Sequence, residues 1–263
     1  MNAPAEELIV ERKGGVVWVT FNRPQARNAL TWKMYSRLET ACHEINADRT
    51  VRAVVLTGAG GQAFVAGTDI AQFRAFTTGQ DALDYEARGN VVMRTLESVR
   101  VPTIAAIAGA CTGAGAAIAA CCDIRIASPS ARYGFPIART LGNCLSMANY
   151  TRAAALIGFA RLKDLIMRAR LMDAQEMLAC GLVSEVCPDE DSLLTRAEAI
   201  ADEVASMAPL TLWATKEALR RIRDTLMPEG ADADLIVACY TSQDFKEGVE
   251  AFLAKRRPNW TGE

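Results

Sequence analysis

Histidine is nearly absent: His43 is the sole imidazole among 263 residues. The eight cysteines form no CxxC pair, and no His/Cys cluster has zinc-ligand spacing, so no metal centre is expected. Positive charge is not in excess either. With 29 basic and 31 acidic residues the net charge is −2. That excludes a nucleic-acid binder working through a basic face. The N-terminal MNAPAEEL has neither a basic n-region nor an apolar h-region. No secretory leader is expected, and the expected location is the cytoplasm. Leucine-rich runs of membrane length are missing too. The longest uncharged stretch, residues 101–122, has 22 residues, enough to cross a bilayer. Pro102, Gly109, Gly113 and Gly115 interrupt it, however, and its apolarity comes from alanine. It reads as a buried strand, a glycine turn and a buried helix.

What the chain does have is apolar mass. Hydrophobic residues make up 51% and charged residues 23%, the balance of a globular protein with a sizeable core. Several cysteines, such as Cys121, Cys122 and Cys239, lie within apolar segments, and Cys42 adjoins His43. They read as free, buried thiols of a reducing compartment.

Residues 8–11 and 16–21 are rich in β-branched and aromatic side chains and flank Lys13-Gly14-Gly15, predicting a hairpin. Thr31 is placed to cap an amphipathic helix to about residue 47, with Met34, Leu38, Ala41 and Ile45 on one face. Strands are predicted over 51–57, 63–66, 103–108, 124–127 and 132–134. Helices are predicted over 70–76, 82–99 and 114–120. From residue 145 onward the pattern is helical apart from a strand at 183–186. This predicts an α/β core followed by a helical C-terminal section. Residues 58–63 match GxGxxA after a strand. The next residues read as another strand instead of the helix that a dinucleotide fingerprint requires, and no acidic residue closes a second strand about twenty residues on.

Two segments share one design. Phe64-Val65-Ala66-Gly67-Thr68-Asp69-Ile70 and the stretch from Ile107-Ala108-Gly109 to Gly113-Ala114-Gly115 each end a strand, pass through small residues and enter a helix. Helix starts carry unpaired N–H groups and the positive end of the dipole. Small residues let a substrate approach that backbone closely. Two such starts facing each other would stabilise charge developing on a carbonyl oxygen.

The sequence also resembles the crotonase superfamily of enoyl-CoA hydratases and isomerases. The resemblance rests on Asn22-Arg23-Pro24 with Asn28-Ala29-Leu30, "FVAGTDI", "GACTGAGAAIAACCDIRIAS" and "ARYGFP", then "GLVSEV" at 181–186 and "EGVEAFLAKRRPNW" at 247–260. These motifs keep the family's order along essentially the whole chain. The resemblance implies an α/β spiral of ββα units over residues 1–190 and a helical trimerisation region over 191–263. Trimers or dimers of trimers are implied, with a CoA thioester as substrate and no separate cofactor. It makes Thr68 and Ala114 the oxyanion-hole N–H donors, Ala114 standing where the family has a glycine. It places Gln25, Ala26 and Arg27, with Ala66, Asp69 and Ile70, along the CoA nucleotide, and Phe252 and Lys255 at its closing helix. Gln25 and Ala71 occupy positions where relatives often carry lysine, so the CoA phosphates would fall to Arg27 or Arg23.

The acid–base groups depart from the family. Hydratases of this kind carry one glutamate three residues beyond the second oxyanion donor and another after the "FGxP" turn. Here those positions hold Ala117 and Ile137, which can neither activate water nor donate a proton. The loop from Ala138 to Cys144 offers Cys144, as nucleophile or acid, and Arg139, as partner of a substrate carboxylate; packing and local pairing are the plainer readings. Asp81, Asp84, Tyr85 and Glu86 fall where relatives have a mobile helix near the pocket. A solvated face is the expected reading there, and Tyr133 is expected in the core. Two functions stay open: an acyl-CoA enzyme with non-standard acid–base residues, and an acyl-CoA-binding or scaffold protein without chemistry. RNA binding, known in relatives with a lysine-rich helix, is set aside, because Lys33 and Arg37 are offset by Glu39 and Glu44.

Overall fold

The computed structural model describes residues 6–226 and 232–263. A hairpin of β1 (Leu8–Lys13) and β2 (Val16–Phe21) opens the chain, and Thr31 caps α1 (Trp32–Ala47) by accepting the Met34 N–H. Met34, Leu38, Ala41 and Ile45 are all buried, as the helical spacing predicts.

Three strand pairs then wind between two sheets. They are β3 (Ala53–Gly58) with β4 (Ala63–Val65), β5 (Thr103–Ile107) with β6 (Ala110–Thr112), and β7 (Ile124–Ala127) with β8 (Arg132–Gly134). Each pair sends its first strand to a larger sheet and its second to a smaller one. The larger sheet runs β1-β2-β3-β5-β7-β10, with β10 at Glu185–Val186, and is parallel from β2 onward. The smaller runs β4-β6-β8-β9, with β9 at Met172–Asp173 antiparallel to β8. Helices follow the pairs: α2 (Gly79–Glu97), α3 (Ala114–Cys121) and α4 (Ile137–Thr140). This is the expected spiral of ββα units. The short strands β6 and β9 were not foreseen. The helix expected at 70–76 is a 3-10 helix over Ile70–Ala75.

Glycine marks the places where the chain passes between sheets. A Cβ on Gly58 would lie 2.1 Å from Ala63 O, and one on Gly109 would lie 2.0 Å from Gln62 O. Buried Asn28 braces the first crossing. Its Nδ2 donates to Ala63 O (2.7 Å) and Ala59 O (3.0 Å), and its Oδ1 accepts the Arg23 N–H (2.9 Å).

The remaining helices are α5 (Met147–Ile157), α6 (Phe159–Met167), α7 (Ala174–Ala179), α8 (Glu190–Ser206), α9 (Pro209–Leu226), α10 (Ala233–Thr241) and α11 (Gln243–Leu253). Helices α1, α2 and α3 share the main core with one face of the larger sheet. Leu193, Ala197, Ile200 and Ala201 of α8 cover the other face against Val16, Trp18, Val55 and Ile104. Helices α10 and α11 pack with Phe73, Ala82 and Leu141 in a third cluster. After residue 190, α8 seals a sheet, and α10 and α11 lie over the 3-10 helix and α2. Helix α9 buries none of its residues.

Candidate active site

A cavity of about 500 Å³ opens between the smaller sheet, α2, α3 and the C-terminal helices. Its floor is the pair of small-residue turns. A Cβ on Gly113 would lie 3.5 Å from Gly67 Cα, so the two turns touch through their backbones. Leu30 N donates to Gly67 O and Asp69 N to Leu30 O, which ties down the residues on either side of Thr68. Among the described residues no hydrogen bond occupies the N–H of Thr68 or of Ala114, the first residue of α3. Both residues line the cavity, as do Ala117 and Ile137.

The aromatic roof comes from four separate segments. Tyr85 of α2 lies 5.5 Å from Trp32, 5.1 Å from Phe73 and 6.1 Å from Tyr240, ring centre to ring centre. Its hydroxyl meets Thr68 Oγ1 at 3.0 Å, and Tyr35 Oη meets the same oxygen at 2.8 Å. Burial pushes the Tyr35 phenol up to about 12, so it stays protonated. Glu86 is 8% exposed, and its Oε1 accepts the Tyr240 hydroxyl at 2.7 Å. Burial raises its pKa, against the lowering effect of the bonds from Tyr240 and Ser146. The solvated-face reading of this segment is therefore corrected for two residues. Tyr85 and Glu86 face the cavity, whereas Asp81 caps α2 and Asp84 is exposed. A helix with one polar face looks solvent-facing in sequence; here α10 lies across that face.

Of the residues expected along the CoA nucleotide, Ala26, Arg27, Ala66, Asp69, Ile70 and Phe252 line the cavity. Gln25 is exposed on a 3-10 turn outside the lining, and Lys255 is exposed beyond the end of α11. Arg27 is exposed and makes no side-chain ion pair among the described residues. Arg23 is engaged elsewhere: it donates to Ala29 O (2.6 Å) and Asp69 Oδ2 (3.1 Å) and lies 3.4 Å from Glu7 Oε1. Asp69 also accepts the Ala71 N–H, so its carboxylate is part of the scaffold.

Cys144 lines the cavity, and its thiol donates to Leu235 O at 3.6 Å. The hydrogen bond with Cys239, and then burial, hold its pKa well above the usual thiol range, so it stays a thiol instead of an active nucleophile. Arg139 is exposed and outside the lining; the short helix α4 turns it to solvent while Ile137 points in. Tyr133 is fully buried, as expected. Among the described residues no group of three His, Cys, Asp or Glu side chains is placed to hold a metal, and no helix is long and apolar enough to cross a membrane.

Strand pairs that alternate between two sheets, with glycine-built turns at the floor of a largely apolar cavity, define an α/β protein. The model of the enoyl-CoA hydratase/isomerase family matches residues 11–263, and the chain belongs to that family. It is 37% identical over 258 residues to a probable enoyl-CoA hydratase of Mycobacterium tuberculosis, covering 97% of this chain and 98% of that one. It is 36% identical over 254 residues to the short-chain-enoyl-CoA hydratase of Clostridium acetobutylicum, covering 95% of each. Among solved structures, a methylmalonyl-CoA decarboxylase in complex with 2-nitronate-propionyl-CoA superposes with a TM-score of 0.88. Identity there is 26%, over 99% of this chain and 100% of that one. The protein is thus an enzyme of the hydratase/isomerase type acting on acyl-CoA thioesters.

Proposed function

We propose that the cavity holds the thioester carbonyl of an acyl-CoA between the N–H groups of Thr68 and Ala114 and stabilises the enolate formed when the α-proton leaves. This reading is supported by the close approach of the two turns, a Cβ on Gly113 lying 3.5 Å from Gly67 Cα, and by the absence among the described residues of any hydrogen bond to the N–H of Thr68 or Ala114. Each such donor is worth about 10²–10³-fold in rate. The CoA nucleotide runs over Ala26, Arg27, Ala66 and Ile70, with Arg27 facing its phosphates and Phe252 closing over it. Gln25 and Lys255 lie beyond this surface and contribute from its margin. No cofactor beyond the CoA of the substrate enters the chemistry.

Ala117 and Ile137 form an apolar wall where hydratases of this family carry glutamates, so the acid–base groups are non-standard. That wall also favours a second reading, a thioester-binding protein without turnover. The assembly is a trimer or a dimer of trimers. Its contact draws on α9, whose Leu210, Trp213, Leu219, Ile222 and Leu226 are exposed in the single chain. Calorimetry with acetyl-CoA and butyryl-CoA tests the main reading, which falls if neither binds at millimolar concentration. Turnover across a panel of acyl-CoAs separates an enzyme from a binding protein.

A further inference from the structure

We propose that Glu86 is the proton-transfer residue of this cavity, taking the α-proton of a CoA thioester held at Thr68 and Ala114. The inference rests on the thioester reading above and adds to it the group that moves the proton.

Two carboxylates line the cavity, Asp69 and Glu86. Asp69 is committed on both oxygens, to Arg23 and to the Ala71 N–H. Glu86 is different. It lies on α2 with Gly89 and Met93, at i, i+3 and i+7, and all three line the cavity, so one stripe of the helix faces inward. The bond between Tyr85 Oη and Thr68 Oγ1 fastens this helix to the turn that offers the first backbone donor. The carboxyl is oriented by Tyr240, whose hydroxyl also accepts from Asn143 Nδ2 at 3.0 Å. Asn143 itself lines the cavity, and its Oδ1 is buried with no hydrogen-bond partner among the described residues.

The surroundings hold the carboxyl's pKa above its ordinary value. Tyr240 faces it from α10 and Asp232 from the residue before that helix, Ser146 from the residue before α5 and Tyr150 from α5, Cys144 from the preceding loop, Tyr35 from α1 and Tyr85 from its own helix. Burial favours the neutral acid and the Tyr240 bond favours the anion. A general base works best when its pKa approaches the working pH.

A single carboxyl supports chemistry with one base. With a 3-enoyl thioester, the Glu86 carboxylate takes the α-proton, and the C–H electron pair passes into a dienolate whose charge rests on the thioester oxygen. The carboxylic acid then returns its proton to the γ-carbon. The double bond ends between the α- and β-carbons, and the carboxylate is restored. No water, oxidant or second base is consumed, which fits the apolar wall of Ala117 and Ile137.

The test is exchange of the α-protons of butyryl-CoA in D₂O, followed by proton NMR beside calorimetric binding of the same ligand. Glu86→Gln keeps the size of the side chain and an acceptor for Tyr240. It should bind butyryl-CoA within about twofold of wild type and lose exchange by about 10²–10⁴-fold. Tyr240→Phe removes a bond that favours the anion, so the acidic limb of the exchange–pH profile should move to higher pH. A Glu86 that merely ties α10 to α2 would leave that limb in place. Exchange by Glu86→Gln at the wild-type rate would overturn the proposal, as would wild-type binding without exchange. If Glu86→Gln does not fold, the Tyr240→Phe profile decides, and an unmoved limb overturns the proposal. Absence of butyryl-CoA binding by the wild-type protein would instead overturn the thioester reading itself, and this inference with it.

Discussion

Adding one methyl group at Gly115 should damage both stability and ligand binding. An ideal Cβ there would sit 2.0 Å from Val65 O and 2.8 Å from Val65 C and Cβ. Ordinary contact begins near 3.4 Å, so α3 and β4 must part by about 1.4 Å. Helix α3 has nowhere to go, since Ala116, Ile118 and Ala119 are fully buried in the main core. Overpacking of this kind costs about 1–3 kcal/mol, which lowers Tm by roughly 2–4 °C per kcal/mol in a chain of this size. The same movement separates the two backbone donors, because β4 leads into Thr68 and α3 begins at Ala114. A misplacement of about 1 Å can cost on the order of 100-fold where geometry carries the interaction. Thermal unfolding and calorimetry with butyryl-CoA measure both effects. Gly89→Ala, at a position that also lines the cavity, is the control for thermal unfolding alone. Nothing lies within 4 Å of its Cβ position, and an alanine inside a helix should stabilise by about 0.5–1 kcal/mol. A Gly115→Ala protein that melts and binds like wild type would refute the claim that this glycine sets the spacing of the two turns.

Hydration of crotonyl-CoA should be very slow, and Ala117→Glu with Ile137→Glu should raise it; a wild-type turnover in the ordinary range of roughly 1–10³ per second would contradict the reading of that wall. Arg27→Glu should weaken acyl-CoA binding several-fold without changing Tm, whereas Arg23→Ala should lower Tm, because its contacts to Ala29, Asp69 and Glu7 are structural. The pKa of Glu86 is raised in the folded protein, so its contribution to stability is complete below its unfolded value of about 4.3 and is lost as pH rises through the folded value. Glu86→Gln, neutral throughout, should therefore show a flatter dependence of Tm on pH as pH rises above about 4.3. Sedimentation should find a trimer or hexamer; a stable monomer of 28.4 kDa would contradict that assembly.

Local rules carried far in this chain. The cap at Thr31, the inward face of α1 and the glycine-interrupted run that becomes β5, β6 and α3 follow from short-range sterics, capping and apolar spacing, which act within a few residues. The family motifs likewise pointed to the turns at Thr68 and Ala114 and to the apolar pair Ala117 and Ile137, all of which line one cavity. Strands β6 and β9, at three and two residues, escaped because each exists through pairing with partners distant in sequence, as Ala110 does with Ala63 and Met172 with Tyr133. No local signal marks so short a strand.

The arginines and the acidic helix show the same division. Sequence placed both Arg23 and Arg27 near the ligand. Only the fold brought Glu7 and Asp69 to Arg23 and left Arg27 without an ion pair among the described residues. Glu86 looked like one of several charges on a solvated face, because nothing within a turn of it requires burial. Tyr240, 154 positions away, is what covers it, and burial is what raises its pKa. Which residues are small, apolar or charged was determined by the sequence itself. Which carboxylate lies in the dark of the cavity was decided by the docking of α10 on α2, since desolvation depends on what packs over a group and not on its neighbours along the chain.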